Sequence, residues 1–186
     1  MIVRKYCSKD FEDVRRICRE TCSDEKLLVH DTVLCTKYAD FYTETEPEHI
    51  RILADDSDRA QGYLLCCPDW QEYRKAWKDE YFSRIKGNGV FYLLLQTHTM
   101  LEVKSMGRKG YPAHLHIDIS PDFQHSGGGS AMMTALLNQL RAEGVQGIYL
   151  GCGVKNTVGN SFYRKYGFRL LKCSLGRNIY VMDLNN

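Results

Sequence analysis

Apolar and polar positions along the chain fall into two alternating periods. Residues 2–5, 50–54 and 61–67 are short apolar-rich runs. Asp55-Asp56-Ser57-Asp58 joins the last two, so they read as one strand and a hairpin. Between them the spacing is helical. Ser8 reads as an N-cap with Asp10 and Glu12 in the first turn, followed by the stripe Phe11, Val14, Arg15, Cys18 and Cys22. A second helical region spans 26–42, with Leu27, Leu28, Leu34, Tyr38 and Phe41 as its apolar positions. Asp69 caps another helix, in which Trp70, Tyr73, Trp77 and Tyr81 recur at helical spacing. Such a stripe is the ordinary mark of a packing face rather than of an acceptor pocket. The run from Val90 to Leu95 reads, with the two residues after it, as a buried strand over 90–97. A basic, glycine-flanked loop at 105–110 precedes a strand at 113–119. A glycine run then opens a helix whose apolar face is Met132, Met133, Leu136, Leu137 and Leu140, ended by Gly144. A strand at 148–150, a helix at 156–166 stopped by Gly167, and a hairpin of 168–173 with 179–184 complete the pattern. Mixed elements with antiparallel hairpins at both ends predict an α/β (α+β) fold rather than a doubly wound one. No linker or repeat divides residues 1–186, so a single domain is expected.

Composition adds exclusions. Apolar residues make up 44% and charged residues 26%, with a formal net charge of +2 and no lysine or arginine block, so no nucleic-acid partner is expected. The longest apolar run falls far short of the roughly 20 residues that span a bilayer, so no membrane association is expected. Eight cysteines are scattered without a CxxC pair, and Cys18 and Cys22 have no second ligand pair nearby, so no metal is expected. With no apolar leader at the N-terminus, they read as reduced thiols of a cytoplasmic protein.

The candidate chemistry lies in QHSGGGSAMM, residues 124–133. Three glycines at a helix start cost about 1 kcal/mol each against alanine in a helix interior. A helix N-terminus offers free N–H groups and partial positive charge, and glycine lets the backbone approach an anion closely, so the run reads as a phosphate cradle. A P-loop would need a lysine after the glycines. A dinucleotide turn would need Gly or Ala at Met132 and an acidic residue near Ile148–Leu150. The pattern Q-x-x-G-x-G fits at Gln124, Gly127 and Gly129.

IDISPDFQHSGGGSAM, followed by VKNTVGNSFYRKYGF, resembles the GNAT superfamily of acyl-CoA-dependent N-acetyltransferases. In that family the second motif reads N-x-x-A-x-x-F-Y-x-x-x-G-F, with Gly159 here at the alanine position. AHLHIDISPDFQ, with the aromatic helix before it, is also similar to acetyltransferase-like domains of bacteria and of some O-GlcNAc hydrolases. The resemblance implies a mixed, mainly antiparallel central sheet flanked by helices, with acetyl-CoA as cosubstrate. It implies an acceptor that is a small-molecule or peptide amine, attacked directly, and it allows a homodimer. A non-catalytic acyl-CoA-binding module is the alternative. The resemblance places the pyrophosphate on Gln124, His125, Ser126, Gly127, Gly128, Gly129 and Ser130, and the pantetheine along Ile117, Ile119 and Asn156. Gly128 stands where a larger residue is usual, so the helix start is expected to fray without ligand. A valine at Gly129 is expected to block the anion and resist positive φ. Tyr163 matches the general acid that protonates the leaving thiolate; a packed helix tyrosine is the other reading. His114, His116 and Asp118 share one strand face. Asp118 is the first candidate for the base, against a buried network joining the three.

Overall fold

The computed structural model describes residues 1–22, 31–87, 89–174 and 176–185. Seven strands form one sheet: β1 (Ile2–Lys5), β2 (Arg51–Ala54), β3 (Ala60–Cys67), β4 (Ala113–Ile119), β5 (Gly147–Gly153), β6 (Arg169–Ser174) and β7 (Arg177–Asp183). Their order across the sheet is β1-β2-β3-β4-β5-β7-β6, antiparallel except where β4 meets β5. The helices are α1 (Phe11–Thr21), α2 (31–45), α3 (70–84), α4 (Val90–Ser105), α5 (Gly128–Ala142) and α6 (Thr157–Tyr166). In α2 and α3 the middle turns, Thr36–Asp40 and Trp77–Tyr81, are π-helical. The start of the expected second helix, with Leu27 and Leu28, lies outside the described residues.

Period two divides the core. Tyr63, Leu65 and Cys67 of β3 join Val14, Ile17, Tyr42, Tyr73, Trp77 and Tyr81 on one face, under α1, α2 and α3. Leu64 and Cys66 join Leu115, Met132, Met133, Leu136, Leu140, Leu150 and Tyr163 on the other, under α5 and α6. With both faces covered, β3 is buried along its whole length, which explains its nearly unbroken apolar sequence.

Two expectations change. Residues 90–97 are not a strand but the first half of α4. A short apolar run does not distinguish the two by period, and the inward positions continue past it as Thr99 and Val103, at helical spacing. Val90, Leu93 and Leu94 are exposed rather than buried. At the N-terminus the first helical turn is a 3₁₀ turn, Ser8–Asp10, so the cap is Cys7, one residue early. Its N–H donates to Asp10 Oδ2 at 2.9 Å, and Arg4 grips that carboxylate with two bonds of 2.7 Å.

Candidate active site

β4 and β5 pair at Ala113↔Ile148 and His114↔Tyr149 and then separate. The Ser120 N–H donates to Gln61 O on β3 at 2.9 Å. Alternation along β4 therefore aims the amides of Ile117 and Ile119 the other way, into the gap beside β5. The Ile119 carbonyl accepts from Gln124 Nε2 at 2.9 Å, which ties the loop to the strand end.

The loop after β4 is a row of unpaired donors. His125 and Gly127 both hold positive φ, +60° and +83°. The first intrahelical bond runs from Ala131 N–H to Gly127 O at 3.0 Å, so α5 leaves the amides of 128–130 free. Among the described residues nothing accepts a hydrogen bond from the amides of 125–130. Ser126 Oγ donates to Phe123 O at 2.8 Å and pins the turn. A nest of free amides at the positive end of a 15-residue helix fits a pyrophosphate.

The three glycines have different reasons. Gly127 supplies the left-handed turn, with open space where a Cβ would point. Gly128 is buried, and a Cβ there would lie 2.5 Å from Leu53 Cδ2, so this glycine lets α5 dock on β2. The helix start expected to fray is instead packed. Gly129 does not have the positive φ expected of it. Its Cβ would make ordinary contacts at 3.4–3.7 Å with Ile119, Ile117 and Phe162, so the conformational demand belongs to Gly127.

Tyr163 projects from α6 among Phe162, Phe168 and Tyr180. Burial, then the nearby Cys152 and Asp118, push its hydroxyl well above the ordinary tyrosine range, so it stays protonated at neutral pH. Tyr163 shares its side of the core with Cys152 of β5 and with Leu115 and Ile117 of β4. Among the described residues the hydroxyl has no hydrogen-bond partner. Asn156 caps α6, its Oδ1 accepting from the Gly159 N–H at 2.8 Å. Asn160, which the sequence does not mark out, is buried and fully bonded. It donates to Gly153 O and Asn156 O at 2.8 and 2.6 Å and accepts from Tyr180 and Asn178 at 2.9 and 2.8 Å, locking the end of β5 to α6 and β7.

His114, His116 and Asp118 share the face opposite α5, but they do not form one network. Asp118 accepts from Tyr63 Oη at 2.8 Å, whereas His114 Nε2 pairs with Tyr42 Oη at 2.9 Å. His116 has no hydrogen bond among the described residues. Its ring packs edge-on against Tyr38 and Tyr42. Burial, then the charge of Arg177, pushes its pKa down to about 4, so it is neutral at pH 7.

A cavity of about 280 Å³ opens on this face at the start of the gap. His114, Leu115 and His116 of β4, Tyr149, Leu150 and Gly151 of β5, and residues of α2, α3, α4 and β7 wall it. Tyr73 and Trp77 of the aromatic stripe serve both core and cavity wall. The sequence missed Lys37, Glu102 and Arg177 here because three distant elements bring them together.

One titration is specific. Burial pushes the Asp118 carboxyl up to about 6, with the Tyr63 hydrogen bond pulling weakly the other way. The unfolded value is about 3.9. The folded state thus holds this proton more tightly, and the resulting stability is full below pH 4 and lost as pH rises through about 6. Partial solvent access reduces the effect to about 2 kcal/mol. Asp118→Asn is expected to remove that loss and to be about 2 kcal/mol more stable than the parent at pH 7 but not at pH 4. Urea unfolding at pH 4 to 7 checks this; an equally steep fall in the variant rejects Asp118 as the titrating group.

The family model described as Acetyltransferase (GNAT) family matches residues 11–168. The chain belongs to that family. As a GNAT domain it is an acyltransferase fold, and acetyl-CoA is the cosubstrate that the free amides of 125–130 suit. A [ribosomal protein bS18]-alanine N-acetyltransferase of Haemophilus ducreyi is 31% identical over 67 residues, which are 36% of this chain and 45% of that protein. The match thus spans less than half of that relative's length. Among solved structures, SsHAT superposes with a TM-score of 0.84 at 24% identity, covering 100% of this chain and 98% of that one. The PaiA N-acetyltransferase of Thermoplasma acidophilum, in complex with coenzyme A, superposes at 0.65 with 15% identity, covering 98% of each chain. Both bear out the fold. No helix among the described residues is long and apolar enough to cross a membrane.

Proposed function

We propose that this GNAT domain transfers an acetyl group from acetyl-CoA to the primary amine of an acceptor by direct attack. One observation carries the reading: the parting of β4 from β5, with unpaired amides on one side of the sheet and a cavity that holds His116, Lys37, Glu102 and Arg177 in its wall on the other. A donor held along the gap and an amine in the cavity would meet through the sheet.

The bound thioester supplies an activated acyl carbon and a thiol leaving group. The amides of 125–130 hold the pyrophosphate, and Asn156 reaches the pantetheine arm from the cap of α6. The N–H of Ile117 or Ile119, aimed into the gap, donates to the carbonyl oxygen as charge develops there. The unpartnered hydroxyl of Tyr163 gives its proton to the departing sulfur. A thiolate of pKa about 8.5 leaves more readily with such a donor beside it. On the cavity side, neutral His116 and half-buried Asp118 are the groups available to take the amine proton. As the new C–N bond forms and the C–S bond breaks, one proton passes to this face and one is supplied from Tyr163.

Acetyl-CoA at about 100 times its dissociation constant is expected to stabilise the folded chain by about 2.7 kcal/mol. In a chain of this size that raises the melting temperature by about 5–10 °C. Thermal unfolding with and without acetyl-CoA, followed by a free-thiol assay with an amine present, is the test. No shift at millimolar acetyl-CoA rejects the cradle. A shift without thiol release on any amine leaves a non-catalytic acyl-CoA-binding module.

A further inference from the structure

From the cavity wall we infer that the acceptor is a small free amino acid, an amine carrying its own carboxylate, rather than the amino terminus of a peptide. The inference rests on the acetyl-transfer reading and specifies its substrate.

The first argument is charge. Lys37, Arg108 and Arg177 line the cavity with a single carboxylate, Glu102, among them. Lys37 Nζ lies 2.5 Å from Glu102 Oε2, His98 Nδ1 3.6 Å from the same oxygen, and Arg177 Nη2 3.8 Å from Oε1. The histidines of β4 do not alter this sum. Burial, and then His116, hold His114 neutral, and His116 is neutral by the causes given above. Positive charge is in excess, so the complementary ligand brings a negative group as well as its amine.

The second argument is unmet hydrogen bonding. Buried polar groups in native proteins nearly always have partners, so a cluster without them needs an explanation. Among the described residues, buried side-chain atoms without a hydrogen bond include Thr99 Oγ1, Glu102 Oε2, Arg108 Nε, His114 Nδ1 and Trp77 Nε1. All five residues line this cavity. Thr99 and His114 are each 1% exposed and Trp77 is fully buried. Trp77 Nε1 sits beside the Tyr73 hydroxyl without hydrogen-bond geometry. Glu102 Oε2 is within ion-pair distance of Lys37 yet lacks the angle of a hydrogen bond. The residues that wall the cavity thus carry unmet donors and acceptors together, and a zwitterion is the ligand class that brings both charges.

The third argument is size. A cavity of about 280 Å³ lies below the ~300–1,000 Å³ of sites for drug-sized ligands, and helices and strands wall it together. It suits one amino acid. Placing the ligand carboxylate by Arg177 and Lys37 also offsets two cations that depress His116. A bound acceptor would then make that imidazole a better base for its own amine.

The test compares three amine classes with saturating acetyl-CoA: the common L-amino acids, their carboxamides, and tetrapeptides with free N-termini. Thiol release and a mass gain of one acetyl group are read out. For at least one amino acid, kcat/KM is expected to exceed that of its carboxamide by ten- to a hundredfold. Arg177→Gln, on a half-exposed side chain, is expected to raise KM for that amino acid at least tenfold and to narrow the gap between acid and amide. Equal rates on acid and amide, or acetylation of tetrapeptides alone, overturn the inference and leave acetyl transfer standing. Acetyl-CoA binding with no acetylation of any class overturns both.

Discussion

Tyr163→Phe is expected to lower turnover by about 10²–10⁴-fold while the dissociation constant for acetyl-CoA stays nearly unchanged. The substitution removes one oxygen and keeps the ring. The contacts with Phe162, Phe168 and Tyr180 are ring contacts, so α6 stays in place on the sheet. The hydroxyl itself bonds nothing among the described residues, so its loss leaves no buried partner stranded. Burial first, then Cys152 and Asp118, keep the hydroxyl protonated at neutral pH and make it a weak acid at rest, so its proton passes only to sulfur that already carries thiolate charge. Steady-state rates on a working acceptor, with calorimetric titration of acetyl-CoA, provide the check. Full activity in the variant rejects Tyr163 as the donor. A large loss of cofactor affinity instead makes it a packing residue of the pocket.

The second large effect separates two adjacent glycines. Gly127→Val is expected to weaken acetyl-CoA binding about 10–100-fold in a protein that still folds. Its left-handed φ of +83° is costly for any L side chain, by about 1–2 kcal/mol, so the loop relaxes and the amides lose their common aim. One charge-assisted hydrogen bond is worth about 1.5–3 kcal/mol, and each 1.4 kcal/mol is tenfold in affinity. The new side chain points into open space and touches no core. Gly128→Ala is expected to do the reverse. Its methyl would lie within 2.5–3.2 Å of the Leu53 side chain, itself only 2% exposed. Overpacking of this kind costs about 1–3 kcal/mol of stability. Urea midpoints and calorimetric affinities of both variants decide the matter. Equal affinity in Gly127→Val reduces the loop to a turn, and an unchanged midpoint in Gly128→Ala removes the packing role.

Local chemistry was legible in the sequence wherever it repeats or breaks a period. The order of strands and helices outside residues 90–97, the cap at Asp69, the helix stops at Gly144 and Gly167 and the glycine-rich start of α5 depend on near neighbours along the chain, and the structure has them where the sequence puts them. The two linked motifs carried the family for the same reason. The run from Val90 to Leu95 misled because six apolar residues fit either period, and only the inward contacts of Thr99 and Val103 show the helix. The individual reasons for Gly127, Gly128 and Gly129 were beyond the sequence, since one answers to φ, another to Leu53 on a distant strand. So was the grouping of Lys37, Glu102 and Arg177. These stand on α2, α4 and β7, and they meet only because the sheet brings β7 beside β5 and the helices fold across the opposite face. Charges on separate elements leave no spacing to read. Their joint field, and the unmet hydrogen bonds around them, come into being when the chain closes over the gap between β4 and β5.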